Sequence, residues 1–296
     1  MTLDDLIYKP GLLAGQRVLV TGGGTGLGRV MSEALLLLGA EIHICGRRGA
    51  VVEQTASELM AQHGGRVVPW VCDIRSDEAI QAMLDSIWQT HGPLDGLINN
   101  AAGNFVSRTE DLSSRAFDAI ANIVFRGSFY MTLECGKRWL AEGRKASVIS
   151  ILTTWVWNGS AFTVPSAMSK AGLNAMTQSL AVEWGGRGIR LNAIAPGLFP
   201  TEGMSARLNP GGGEHKAVGN PMGRAGRMSE LANLAVFLMG PGSEYLNGQT
   251  IAIDGAQYQA TGGNFAHLAS WTDADWQNAR DSIAQKNATD RQQRQT

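Results

Sequence analysis

The chain has 296 residues, 44% of them hydrophobic, enough for one large or two average domains around a sizeable core. A formal net charge of −1 offers no basic field for nucleic acid or anionic lipid, and no stretch approaches the ~20 apolar residues a membrane-spanning helix needs. Cys45, Cys72 and Cys135 are scattered without a CxxC spacing, and the opening "MTLDDLIYKPGLLAGQ" has no apolar run suited to secretion; together these predict a soluble, cytoplasmic protein.

In chain order, "RVLVTG" (17–22) reads as a buried strand, followed by a helix through "GRVMSEALLLLGA". "EIHICG" (41–46) is the next strand, then a helix over 50–62, a third strand "VVPWVCDI" (67–74) and a helix over 76–91. "LDGLINNAAG" (94–103) is a fourth strand, and helices are expected near 113–122 and 125–142. Strand "ASVISIL" (146–152), helix 166–184, strand "RLNAIAPG" (190–197), helix 229–239 and strand "QTIAIDG" (249–255) complete the pattern. Such alternation predicts an α/β fold, a parallel sheet with helices on both faces. Residues 198–228, rich in Gly, Pro and Arg, break the rhythm after a strand end, where ligands bind in open α/β sheets. In the tail, Thr272 and Asp275 form an N-terminal capping pair with Trp271 and Trp276 at staple positions. A short docked helix is expected there, with "KNATDRQQRQT" frayed. The resulting division is an N-terminal arm (1–11), one nucleotide-binding and catalytic domain (12–257) and a C-terminal extension (258–296).

Between the first strand and helix lies "TGGGTGLG". Gly22, Gly26 and Gly28 allow a tight turn and close approach of a pyrophosphate to the positive end of the helix. The strand–turn–helix context makes this a nucleotide site rather than an ordinary turn. The second strand ends in "CGRRG": the acid that would accept bonds from both adenosine ribose hydroxyls is missing, and Arg47 and Arg48 stand in tandem, so NADPH is favoured. Asp73 is placed to accept from the adenine amino group, or else to cap the following helix. Further along, Ser166 and Lys170 in "VPSAMSKAG" are four apart and share one helix face.

The combination of "TGGGTGLG", "CDI", "NNAAG", the lysine of "SAMSKAG" and "APGLFPT" resembles the short-chain dehydrogenase/reductases over residues 12 to about 257. That resemblance implies a single Rossmann-type, doubly wound domain with a seven-stranded sheet, and a homotetramer. It places Thr25, Leu27, Asp73, Ile74, Asn100 and Ala101 along the cofactor, Lys170 on the nicotinamide ribose, and Pro196, Gly197, Leu198 and Thr201 around the carboxamide. Members acting on alcohols or ketones carry a serine, a tyrosine and an asparagine where this chain has Thr153, Ser166 and Val124, and only Lys170 is retained. Asn122 stands two residues off register from the asparagine position. One branch is built this way, the 2,4-dienoyl-CoA reductases, which "NNAAGNF", "VPSAMSKAG", "ARLNP" and "ELANLAVFL" also resemble. The branch resemblance puts Asn104 on the substrate thioester, with Ser166 and Lys170 completing the site. It sets Arg47, Arg75, Phe105, Ser113 and Arg207 along the acyl-CoA or cofactor sites. Trp155 occupies a position where the branch's mitochondrial-type enzymes use a tyrosine.

Reducing a ketone requires a proton for the nascent alkoxide, and a serine hydroxyl is a far poorer acid than a phenol. Reducing a conjugated thioester instead spreads charge onto the thioester oxygen as a dienolate, which needs hydrogen-bond donors. Asn104 is the expected donor, with Lys170 relaying a proton through Ser166 or a water. Trp155 offers one indole N–H as a donor, or packs the pocket wall beside Trp157. The bland alternatives are a helix N-cap for Ser166 and a turn residue for Asn104. Arg75, Arg207, Lys216 and Arg224 are the candidate cations for the phosphates of CoA. The expectation is NADPH-dependent reduction of a dienoyl- or enoyl-CoA in the degradation of unsaturated or cyclic acyl-CoA. Two alternatives stand beside it: a hydroxyl dehydrogenase using Thr153 and Lys170, and a silent nucleotide-binding relative.

Overall fold

The computed structural model describes residues 1–201, 220–261, 268 and 270–293. Seven strands form one all-parallel sheet in the order β3-β2-β1-β4-β5-β6-β7. They are β1 Arg17–Thr21, β2 Glu41–Gly46, β3 Val67–Val71, β4 Gly96–Asn99, β5 Ala146–Ile151, β6 Ile189–Pro196 and β7 Thr250–Ile253. The helices among the described residues are α1 Gly26–Leu37, α2 Gly49–His63, α3 Asp77–Thr90, α4 Ser114–Ala121, α5 Ser128–Ala141, α6 Trp155–Asn158, α7 Val164–Gly185, α8 Met228–Met239, α9 Gln257–Ala260 and α10 Asp273–Gln293.

β4 and β5 are buried at every residue and β1 at all but its first, as apolar runs covered by helices on both faces must be. Pro69, which cannot donate to a ladder, lies in β3 at the sheet edge. One core cluster joins α1, α2 and α8 to one side of the sheet, and a second joins α3, α5 and α7 to the other. The chain winds outward from β1 to β3, then restarts at β4 beside β1 and winds the other way. This reversal opens a crevice at the carboxyl ends of β1 and β4, where open α/β sheets bind ligands.

Three local expectations are corrected. The fourth strand is only Gly96–Asn99, because the backbone leaves the ladder at Asn100 to bond Thr21. The break expected between helices near residue 123 is instead a π-helical turn, Asn122–Gly127, joining α4 to α5. It brings Gly127 so close to Ile74 that a Cβ there would lie 2.8 Å from the isoleucine side chain. The tail forms 21 residues of helix, α10, rather than a short one with a frayed end. Its start is as expected: Thr272 N–H donates to Asp275 Oδ2 (2.8 Å), Asp275 N–H donates to Thr272 Oγ1 (3.3 Å), and the indoles of Trp271 and Trp276 lie 5.0 Å apart. None of its described side chains is buried.

Candidate active site

The crevice begins at the glycine turn after β1. Gly22 takes φ +64°, and a Cβ on Gly28 would lie 2.4 Å from the Gly22 carbonyl oxygen. The turn is therefore open to backbone approach and closed to side chains, as a pyrophosphate cradle at a helix amino terminus requires. Two polar side chains lock it to β4. Thr21 Oγ1 accepts from the N–H groups of Asn100 and Ala101 (both 3.0 Å), while Asn100 Nδ2 donates to the carbonyls of Thr21 (3.0 Å) and Gly22 (3.2 Å). Thr21 opens the "TGGGTGLG" motif, but its role in holding Asn100 and Ala101 was not anticipated.

From this turn a cavity of about 420 Å³ runs along the ends of β2 and β3, lined by Gly22, Thr25, Arg47, Arg48, Asp73, Ile74, Asn100 and Ala101 among others. A lining that combines two cations with a glycine turn fits the adenosine half of a dinucleotide. Arg47 and Arg48 are exposed and enter no salt bridge among the described residues. Val51 and Val52, the apolar start of α2, form part of the wall and were also missed. Asp73 does not cap α3; Ser76 does, accepting from Ala79 N–H at 3.2 Å. Asp73 instead receives Arg75 Nε at 2.9 and 3.0 Å, and this bonding to Arg75 holds its carboxyl below the usual range.

Asn100 and Ala102 also line a second cavity of about 320 Å³, shared with Leu27, Gly103, Asn104, Leu152, Thr153, Ser166, Lys170, Pro196, Gly197, Phe199 and Thr201. The two therefore adjoin, as the halves of one extended ligand site would. Lys170 is 4% exposed, its Nζ donates to the Ile151 carbonyl, and burial pulls its pKa down to about 8. Ser166 is not an N-cap: it lies inside α7 after Thr163, 4% exposed, with its hydroxyl unpartnered among the described residues. One turn of α7 separates Ser166 from Lys170, so both reach the cavity. Asn104 Oδ1 accepts from Phe105 N–H at 2.9 Å, which leaves Nδ2 as the free end of the amide. Thr153 Oγ1 is buried without a hydrogen-bond partner among the described residues.

Several expected residues stay outside this cavity. Gly26 and Gly28 shape the turn, Gly26 lying under Thr201, and Leu198 lines a separate hollow with Arg224. Phe105 packs beside Ile120 and Val124. Ser113 caps α4, accepting from Ala116 N–H at 3.2 Å, and is exposed. Trp155 opens α6, half-buried, and is not among the residues lining this cavity. Asn122 lines a surface hollow with Phe125 and Phe129, away from the cavity. Arg224 is bound to Glu230 at 2.7 and 2.9 Å. Arg207 and Lys216 lie outside the described residues. Phe199 is the apolar residue that the motif "APGLFPT" carried unnoticed into the cavity wall.

A family profile described as enoyl-(acyl carrier protein) reductase matches residues 22–256. The chain is 39% identical to a probable 2,4-dienoyl-CoA reductase, (3E)-enoyl-CoA-producing, of Caenorhabditis elegans, over 94% of this chain and 92% of that protein. It is 34% identical to the peroxisomal 2,4-dienoyl-CoA reductase, (3E)-enoyl-CoA-producing, of Danio rerio, over 88% of each. Among solved structures it is similar to the citronellol catabolism dehydrogenase of Pseudomonas aeruginosa PAO1, with 34% identity, a TM-score of 0.76, and coverage of 86% of this chain and 100% of that one.

Proposed function

The chain belongs to the short-chain dehydrogenase/reductase family, and from that premise we propose that it reduces a conjugated acyl-CoA thioester, a 2,4-dienoyl- or enoyl-CoA, with NADPH. As a member it is an oxidoreductase working with a nicotinamide cofactor. The reading is supported above all by the Asn104 amide. Its oxygen accepts from Phe105 N–H, its Nδ2 has no hydrogen bond among the described residues, and the residue lines the cavity shared with Ser166 and Lys170.

Bound NADPH supplies the hydride, which goes to the far carbon of the conjugated system. Charge then spreads to the thioester oxygen, where Asn104 Nδ2 donates and steadies the dienolate. No described tyrosine lines the cavity, so no phenol stands ready to protonate an alkoxide. A dienolate needs none: its proton goes to carbon, and Ser166 with Lys170 forms the relay. Lys170, charged below about pH 8, also holds the nicotinamide ribose. Arg47 and Arg48 meet the 2′-phosphate, where an acid would have favoured NADH.

In the test, Asn104→Ala should lower dienoyl-CoA turnover by about 10²–10³ while NADPH affinity is unchanged. Full turnover in that variant would remove Asn104 from the mechanism. A second reading, oxidation of a hydroxyl bound at Thr153, draws on the unpartnered Thr153 Oγ1; alcohol-dependent reduction of NADP⁺ would select it. A homotetramer fits the exposed Phe125, Phe129 and Val182, apolar side chains around α5 and α7. The three buried free thiols suit a reducing compartment such as the cytoplasm.

A further inference from the structure

We propose that Trp157, Phe162 and Tyr258 form a fixed apolar collar at the mouth of the active-site cavity, binding the acyl chain beyond its conjugated carbons and favouring long chains over short ones. The proposal rests on the acyl-thioester reading above and deepens it.

The collar belongs to the segment that leaves the cavity at Thr153 and re-enters it at Ser166. Two sets of contacts hold that segment in place. On one side the Trp157 ring stacks on Tyr258, centroids 4.4 Å apart and planes 21° apart, and the Asn158 amide lies 2.9 Å from the Thr261 hydroxyl. Tyr258 is itself anchored, its N–H donating to Asp254 Oδ2 at 2.9 Å. Asp254 presses on Gly197, where a Cβ would come within 2.7 Å of it. On the other side Ser107 N–H donates to the Phe162 carbonyl at 2.9 Å, joining the segment to the loop that carries Asn104. Residues following β4, β5 and β7 are thus tied together, and the first two of these segments carry the cavity residues Asn104 and Thr153.

The chemistry of the rim is one-sided. The segments 103–107, 153–163 and 256–261 contain no Asp, Glu, Lys, Arg or His. Trp157 is 42% exposed, Phe162 57% and Val106 41%. Phe162 also holds φ +63°, a conformation seldom taken by bulky side chains and met most often where a site imposes it. Within these three segments a charged headgroup finds no charged partner, whereas an alkyl or alkenyl chain finds aromatic faces. Pinned at three strand ends, the collar is a preformed wall, so chain binding is read directly as buried methylenes.

The experiment is a chain-length series of 2,4-dienoyl-CoA from six to twelve carbons, measured as kcat/KM and, with saturated acyl-CoA and NADP⁺, as calorimetric affinity. In the wild type each methylene reaching the collar should raise kcat/KM by up to about fourfold, carried by KM. Trp157→Ala and Phe162→Gly should flatten that dependence, while Trp157→Phe retains it. Glycine adopts φ +63° freely, so the Phe162→Gly result reports the ring rather than the backbone. Acyl-CoA binding with the same chain-length dependence in the variants would overturn the collar alone. Absence of any acyl-CoA binding by the wild type would overturn both the collar and the parent reading.

Discussion

Lys170 Nζ donates to the main-chain carbonyl of Ile151, the last residue of β5, with both residues buried. The bond ties the active-site lysine to the sheet rather than to another side chain, so no carboxylate offsets the cost of burying its charge. Burial accordingly pulls the ammonium pKa from 10.5 to about 8.

A pH dependence follows. If the charged lysine is needed, kcat/KM should fall as pH rises through about 8, and Lys170→Met should lower kcat by about two orders of magnitude or more. Stability moves the opposite way. Between about pH 8 and 10.5 the unfolded chain still holds the proton that the folded lysine has released, so stability should rise with pH across that window. Pre-steady-state rates and thermal melts over pH 6–10 check both directions.

Cofactor choice is expected to rest on the arginine pair at the end of β2. Replacing Arg47 or Arg48 with Ala should raise KM for NADPH about tenfold or more, the effect of losing a charge-assisted bond. NADH kinetics should change little. Equal losses with both cofactors would show that the pair does not meet the 2′-phosphate.

The phosphate turn should not tolerate a methyl group. Gly28→Ala places a Cβ 2.4 Å from the Gly22 carbonyl and 2.5 Å from Asn100 Nδ2, neither of which can move without breaking the tie to Thr21. The expected result is a loss of about 1–3 kcal/mol in stability, typical of overpacking, with cofactor affinity falling sharply. Denaturant unfolding and NADPH titration of the variant measure the two effects.

At the opposite end of the sheet, His43 is wholly buried, facing Glu41 at 3.1 Å and receiving the Trp70 indole N–H at 3.0 Å. Burial drives its pKa from 6.5 down to about 4, against the pull of Glu41. The unfolded chain therefore takes up a proton near pH 6.5 that the folded chain refuses, and stability should decline as pH falls from 6.5 toward 4. Melting temperatures across that range should show the decline, and His43→Gln should flatten it.

The sequence by itself determined what depends on local period and spacing. Strand and helix alternation predicted the parallel sheet with helices on both faces, and the family resemblance its doubly wound order. Glycine spacing located the phosphate turn, and the four-residue interval of Ser166 and Lys170 put both on one face of α7. The Thr272–Asp275 pair marked where α10 begins, but its length was hidden, because polar residues beyond 284 carry no apolar stripe to signal a helix. Only the tertiary structure decided which side chains reach the cavity. Ser113 caps α4 and Arg75 binds Asp73, both through neighbours close in sequence. Trp155 opens α6 and is not among the residues lining the cavity, while the turn after Thr21 is held by Asn100, 79 residues further along the chain. The free end of Asn104 and the lowered pKa of Lys170 likewise arise from neighbours and burial. Those are properties of packing in three dimensions, and a linear spacing does not contain them.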